Sequence, residues 1–158
     1  MSALEPGSQH TTTFGVVAVN PDASTAHSTI DPVPTDLRVE RRTWGGMCAS
    51  GPCESRLTVV ADGTWVLVVN GKRTTGTLAH QQVVALTYDL RVTQARVDQA
   101  RKAHVLATGK ADCAADHDGT SASYTWTMRG RSESVSSCDQ RPMPAPVELD
   151  RIADSISH

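Results

Sequence analysis

Two groups of residues in this chain have types and spacings that could do chemistry: four cysteines, and one polar cluster. The cluster is Asp112, Asp116, His117 and Asp118. Three carboxylates and an imidazole are ligand types for a divalent cation. Consecutive side chains diverge in an extended loop, however, and Asp118-Gly119 reads more simply as turn chemistry ahead of a strand. Asp116, His117 and Asp118 therefore stay weak metal candidates, and neither a metal nor a cofactor is expected. No catalytic set is legible. The serines of 132–137 lack a Gly-x-Ser-x-Gly elbow. Phosphate-cradling glycine loops, a Walker lysine and a His-Glu-x-x-His pair do not occur in the sequence. His80 and His104 sit in or beside a helical stretch and read as ordinary surface residues.

The cysteines say more. Cys113 and Cys138 flank a hairpin, and antiparallel strands joined by one turn bring their outer ends within reach of one bridge. Closing that loop would stabilise by about 3 kcal/mol in the chain-entropy view. Cys48 and Cys53 bracket a Gly-Pro loop and would close a small local ring. Zinc ribbons need tight cysteine pairs on both sides, which the 113/138 spacing does not supply. Two disulfides are expected, and with them an oxidising compartment. Trp44, Met47 and Pro52 on or beside the 45–53 loop form the candidate interaction surface. Large rings usually anchor a core. An exposed Trp44 beside a constrained loop would instead belong to a recognition patch.

Elements to position these residues can be read from periodicity. Leu37, Val39 and Trp44 suggest a first strand, followed by a loop at 45–53. Glu54 to Ala61 and Thr64 to Val69 alternate around Asp62-Gly63, a two-residue hairpin signal. Asn70-Gly71 is a second such signal, and Lys72 to Leu78 is a polar third strand of that meander, expected at an edge. Val83, Leu86 and Leu90 then recur at helical spacing over 79–91. Residues 94–103 are helix-compatible and polar nearly all round, with Arg96, Asp98, Arg101 and Lys102 expected on a solvated face. Ser121 to Met128 alternates, Arg129-Gly130-Arg131 turns, and 132–137 returns. Val147, Leu149, Ile152 and Ile156 stripe a closing helix.

Composition bounds the rest. The chain has 158 residues, a formal net charge of −2 and only six aromatic residues. That charge gives no electrostatic case for nucleic acid. No apolar run approaches the roughly 18 residues of a membrane span. Residues 1–34 are rich in Ser, Thr and Pro and are expected to be disordered or weakly ordered. The expected folded domain is 35–158.

Certain motifs resemble secreted proteins and lipoproteins of actinobacteria. They are Gly51-Pro52-Cys53, Arg56-Leu57-Thr58-Val59, Ala61-Asp62-Gly63-Thr64, Thr108-Gly109 through Cys113, Asp118-Gly119, Tyr124 and Ser136-Ser137-Cys138. The resemblance spans roughly 44–156 and implies an exported, disulfide-bonded α+β domain, with no activity attached. The order of small sheets, a helix and two disulfides is also similar to the subtilisin-inhibitor-like proteins of Streptomyces. By position, Cys113-Ala114-Ala115-Asp116-His117 would match their contact loop, although the loop sequence and the first disulfide differ.

The expectation is an α+β domain. An antiparallel sheet of about five strands, a meander plus a C-terminal hairpin, packs on one or two helices with two disulfides. Its expected role is noncatalytic: a monomeric extracytoplasmic module binding a protein or small ligand. A secreted protease inhibitor and an enzyme of unrecognised class are the alternatives. The start of the chain has no basic segment and no apolar stretch of the kind that directs export.

Overall fold

A computed structural model describes residues 32–48, 51–103, 119–138 and 143–157. Apart from 32–34, the expected N-terminal tail lies outside the described residues. So do Cys113, Asp116, His117, Asp118 and His104.

The elements are β1 (Arg38–Cys48), β2 (Gly51–Val60), β3 (Thr64–Val69), β4 (Lys72–Thr77), α1 (His80–Lys102), β5 (Thr120–Met128), β6 (Arg131–Ser136) and α2 (Val147–Ile156). The six strands make one sheet in the order β4-β3-β2-β1-β5-β6, with every neighbouring pair antiparallel. The architecture is α+β as expected, with six strands among the described residues rather than about five.

The glycine-rich stretch at 45–53 is not a loop. β1 and β2 run on through it and pair to Cys48 and Gly51, with a register shift between Trp44 and Met47. β1 carries one residue more than β2 across that shift, which is a β-bulge. Gly45 and Gly46 absorb it at φ of 98° and 74°, a region closed to most side chains. The glycines that signalled a turn bend a strand instead.

The other turns follow local chemistry. Val69 pairs with Lys72 across Asn70-Gly71, and both turn residues have positive φ, as a type I′ turn demands. The Asp62-Gly63 connection is not the expected two-residue turn. β2 ends at Val60 and β3 starts at Thr64, so three residues connect them and Gly63 alone takes positive φ. The Asp62 carboxylate steadies this turn by accepting the Thr64 N–H at 2.8 Å. At Arg129-Gly130 both residues again have positive φ. Asp36 holds this costly arginine conformation, because its two carboxylate oxygens accept the Arg129 and Gly130 N–H groups at 2.8 and 2.6 Å.

One sheet face is apolar. Val39, Leu57, Leu67, Tyr124, Trp126 and Val135 are buried there. From α1, Val83, Leu86, Thr87, Leu90, Thr93 and Val97 join them, and from α2, Leu149, Ile152 and Ala153. Val147, expected in the α2 stripe, is instead half exposed at the first turn. The α2 N-terminus is held by α1, since Asp89 Oδ2 accepts the Glu148 N–H at 2.9 Å. That satisfies one of the donors a helix start leaves unpaired.

The single helix α1 absorbs the polar stretch 94–103 because its inward polar groups find partners on the sheet. Gln94 accepts from Trp126 Nε1 at 3.1 Å. Arg101 donates to both carboxylate oxygens of Glu133. Asp98 pairs with Arg131. Asp98 is half-exposed and Arg101 exposed, as expected of a solvated face, and both also stitch the helix to β6.

Candidate functional site

The sheet can be followed rung by rung away from α1. The Val39/Val59/Trp126 rung lies under α1. The Arg41/Leu57/Tyr124 rung meets α2 through Asp150. Arg41 Nε donates to Asp150 Oδ1 at 2.6 Å, and the Tyr124 hydroxyl donates to the same oxygen at 2.8 Å. The next rung, around Thr43, Ser55 and Val69, walls a cleft of about 360 Å³. Trp44, Gly45, Gly46, Met47, the two cysteines, Glu54, Asn70 and Thr120 complete its lining.

Three ties hold this end of the sheet. Cys48 and Cys53 are bonded to each other, with Cα atoms 5.3 Å apart. The bridge spans the outer ends of β1 and β2. Asn70, in the β3–β4 turn, accepts the Glu54 N–H on Oδ1 at 2.8 Å and donates its own N–H to the Glu54 carbonyl at 2.9 Å. Its amide Nδ2 reaches Cys48 Sγ at 3.7 Å. Arg42 lies over the Trp44 ring, 5.5 Å from its centre, a cation–π distance. It also bonds Glu54 Oε1 at 3.0 Å. Arg56 approaches the same carboxylate at 3.8 Å. The charge of Glu54 is thus met on two sides by the sheet itself.

The apolar groups in this frame are unusually open. Met47 is 89% exposed and Val69 41%. Trp44 is half-buried and stands outside the core, so of the rings expected to anchor it, Trp126 and Tyr124 do so fully and Trp65 in part. The residues lining the cleft thus include a polarizable thioether, an indole and a β-branched side chain, groups suited to binding apolar ligands. Among the described residues, Glu54 is the one carboxylate in the lining and no histidine lines it.

Trp44 and Met47 of the expected interaction surface both line this cleft. Pro52 pairs with Met47 across the hairpin, and its side chain lies outside the described residues. Cys48 and Cys53 bridge as expected. Cys138 is also disulfide-bonded. No three His, Cys, Asp or Glu side chains gather as a metal site among the described residues, and the weak candidates Asp116, His117 and Asp118 lie outside them. Sequence reading missed Glu54, Asn70, Val69, Thr43, Ser55 and Thr120. Only Asn70 carried a signal, as a turn former, and nothing in that signal spoke of its amide clamping the neighbouring hairpin.

The two buried polar groupings beneath the helices are structural ties. Burial, with the Asp150 carboxylate beside it, pushes the Tyr124 phenol up to about 12. Burial likewise pushes the Glu133 carboxyl up, but hydrogen bonds from Arg101, Gln94 and the Ser134 N–H outweigh it and hold the group below its usual range. The hydrogen-bonding capacity of both is taken up within the fold. No helix among the described residues is long and apolar enough to cross a membrane. No protein-family model and no curated protein matches the chain.

Proposed function

We propose that this chain is a noncatalytic, extracytoplasmic recognition domain that works as a monomer, and that its contact surface is the disulfide-tied end of the sheet. One observation carries the reading. Met47 is almost fully exposed beside the half-buried Trp44, in a frame fixed by Cys48–Cys53 and the Asn70 amide. A backbone frame fixed before binding lowers the ordering cost of an interface, and a tryptophan is a common hot-spot residue. The bridge supports an oxidising compartment, and a second one between Cys138 and Cys113 completes the proposed framework. The partner is a protein segment or small ligand with an apolar group to seat in the cleft. The contact loop that an inhibitor would use, 113–117, lies outside the described residues.

Random peptides displayed on phage supply a concrete test. Peptides selected on the wild-type domain should lose about tenfold or more in affinity for Met47→Asp, as for a central interface residue. They should keep their affinity for Tyr88→Asp, a surface change on α1. Equal binding to all three proteins would overturn the proposed surface. For the compartment, protein secreted into an oxidising medium should show no reactive thiol when denatured without reductant; four would refute it.

A further inference from the structure

We propose that β4 accepts an extended acidic peptide as a seventh strand of the sheet. β4 ends the strand order, so one of its long sides has no strand partner among the described residues. Its pairing with β3 is unbroken from Val69↔Lys72 to Thr64↔Thr77, without proline or bulge. Residues flanking a two-residue turn form a hydrogen-bonded pair, and such pairs alternate along an antiparallel ladder. Lys72, Thr74 and Gly76 therefore turn their backbone groups toward β3. The Leu78 N–H keeps the same parity, donating to the Gly63 carbonyl at 2.9 Å. Arg73, Thr75 and Thr77 must turn theirs outward. All three are exposed, and together they offer the spaced donors and acceptors on which strand addition is built.

Charge selects the occupant. Edge strands commonly carry cations to discourage association, and β4 opens with Lys72 and Arg73. Neither is ion-paired among the described residues, whereas Arg42, Arg56 and Arg131 all have a carboxylate within 4 Å. β4 itself holds no acidic residue, so a second copy laid along it would add cations and neutralise none. An acidic strand would neutralise both. Lys72 and Arg73 point to opposite sheet faces, because neighbouring residues of a strand alternate. Two consecutive acidic residues would thus meet one cation each, with β-branched residues following opposite Thr75 and Thr77.

The experiment uses a fluorescent peptide, Thr-Val-Thr-Val-Thr-Glu-Glu, titrated with the whole protein at low salt. Saturable binding is expected, weakened about tenfold or more when both glutamates become lysines, as for close charge pairs. Lys72→Glu with Arg73→Glu should weaken it comparably. Thr75→Pro removes one outward donor while sparing the ladder to β3 and should also weaken binding, as should N-methylation of alternate peptide amides. Met47→Asp should leave it unchanged, which separates this edge from the cleft. Equal binding of the glutamate and lysine peptides, or no saturation by about 1 mM, a level that marks negligible affinity, would overturn the proposal. So would concentration-dependent dimerisation in sedimentation that Thr75→Pro abolishes, since the edge would then belong to a second copy.

Discussion

Replacing Asn70 by Ala and by Gly separates two contributions that the native residue combines. Asn70 sits at φ 48°, where a side chain with a Cβ is normally strained by about 1 kcal/mol or more. Asparagine tolerates this conformation better than alanine does. Its Oδ1 also accepts the Glu54 N–H at 2.8 Å, an exposed contact. Such a bond contributes roughly 0.5–1 kcal/mol net. Asn70→Gly loses the bond and keeps the backbone at ease, so it should cost about 0.5–1 kcal/mol. Asn70→Ala loses the bond and adds the strain, so it should cost about 2 kcal/mol. Urea denaturation gives the global values. Amide exchange at Glu54 gives the local one, and in Asn70→Gly it should accelerate about two- to fivefold, the rate equivalent of the lost bond. Equal stability of the two variants would remove strain from the account. Unchanged exchange at Glu54 would show that the amide does not hold the cleft end together.

Three further predictions concern the ties beneath and across the sheet. Arg101→Met strands the Glu133 carboxylate, whose side chain is 5% exposed. With Gln94 and Arg131 still beside it, the cost at pH 7 should be about 2 kcal/mol, below the usual range for a broken buried pair. Because the native Glu133 carboxyl is held below its usual range, its contribution is present above about pH 4.5 and fades as pH falls through the lowered value. Urea midpoints of variant and wild type should therefore converge as the pH falls below the usual carboxylate range, and a constant gap would count against the ion pair. Gly76→Val puts a side chain into the Trp65 ring, which packs across this glycine. It should cost about 2 kcal/mol, as overpacking does, and shift tryptophan emission to the red; unaltered emission would show the ring never lay there. Absorbance at 295 nm should report Tyr124 ionising only near about 12. Stability from this phenol is complete below about pH 10 and lost as pH rises through 12. Asp150→Asn should bring its midpoint down, and an unmoved midpoint would leave burial as the sole cause.

What the sequence disclosed depended on whether a signal was local. Asn70-Gly71 declared its turn because positive φ at two positions needs those residue types. Helix α1 declared its first half through Val83, Leu86 and Leu90. Its second half stayed ambiguous because Gln94, Asp98 and Arg101 face β6 partners brought there by the fold, and polarity alone resembles solvation. Gly45 and Gly46 misled for a related reason. A bulge and a turn draw on the same glycine chemistry, and only the pairing of Met47 with Pro52 tells them apart. At the cleft, Trp44 and Met47 were legible as large apolar residues near constrained cysteines. Val69 was not, because an alternating strand pattern gives no sign of where the covering helices stop.

The position of β1 in the sheet has a consequence for how the chain acquires its structure. β1 pairs on one side with β2, its neighbour in sequence, and on the other with β5, where Val39 lies opposite Trp126. The meander β1–β4 closes through short loops and forms from local contacts. The β1–β5 seam must gather ends separated by three strands and α1, and such non-local pairing slows folding. On a ribosome the meander emerges first, with the second edge of β1 still bare. Until residues 120–128 are synthesised, that edge is open to any other extended chain, and this is the interval in which an unfinished sheet is most exposed to aggregation. Variants that weaken the seam, at Val39 or Trp126, should slow folding, whereas those on α2 should mainly hasten unfolding.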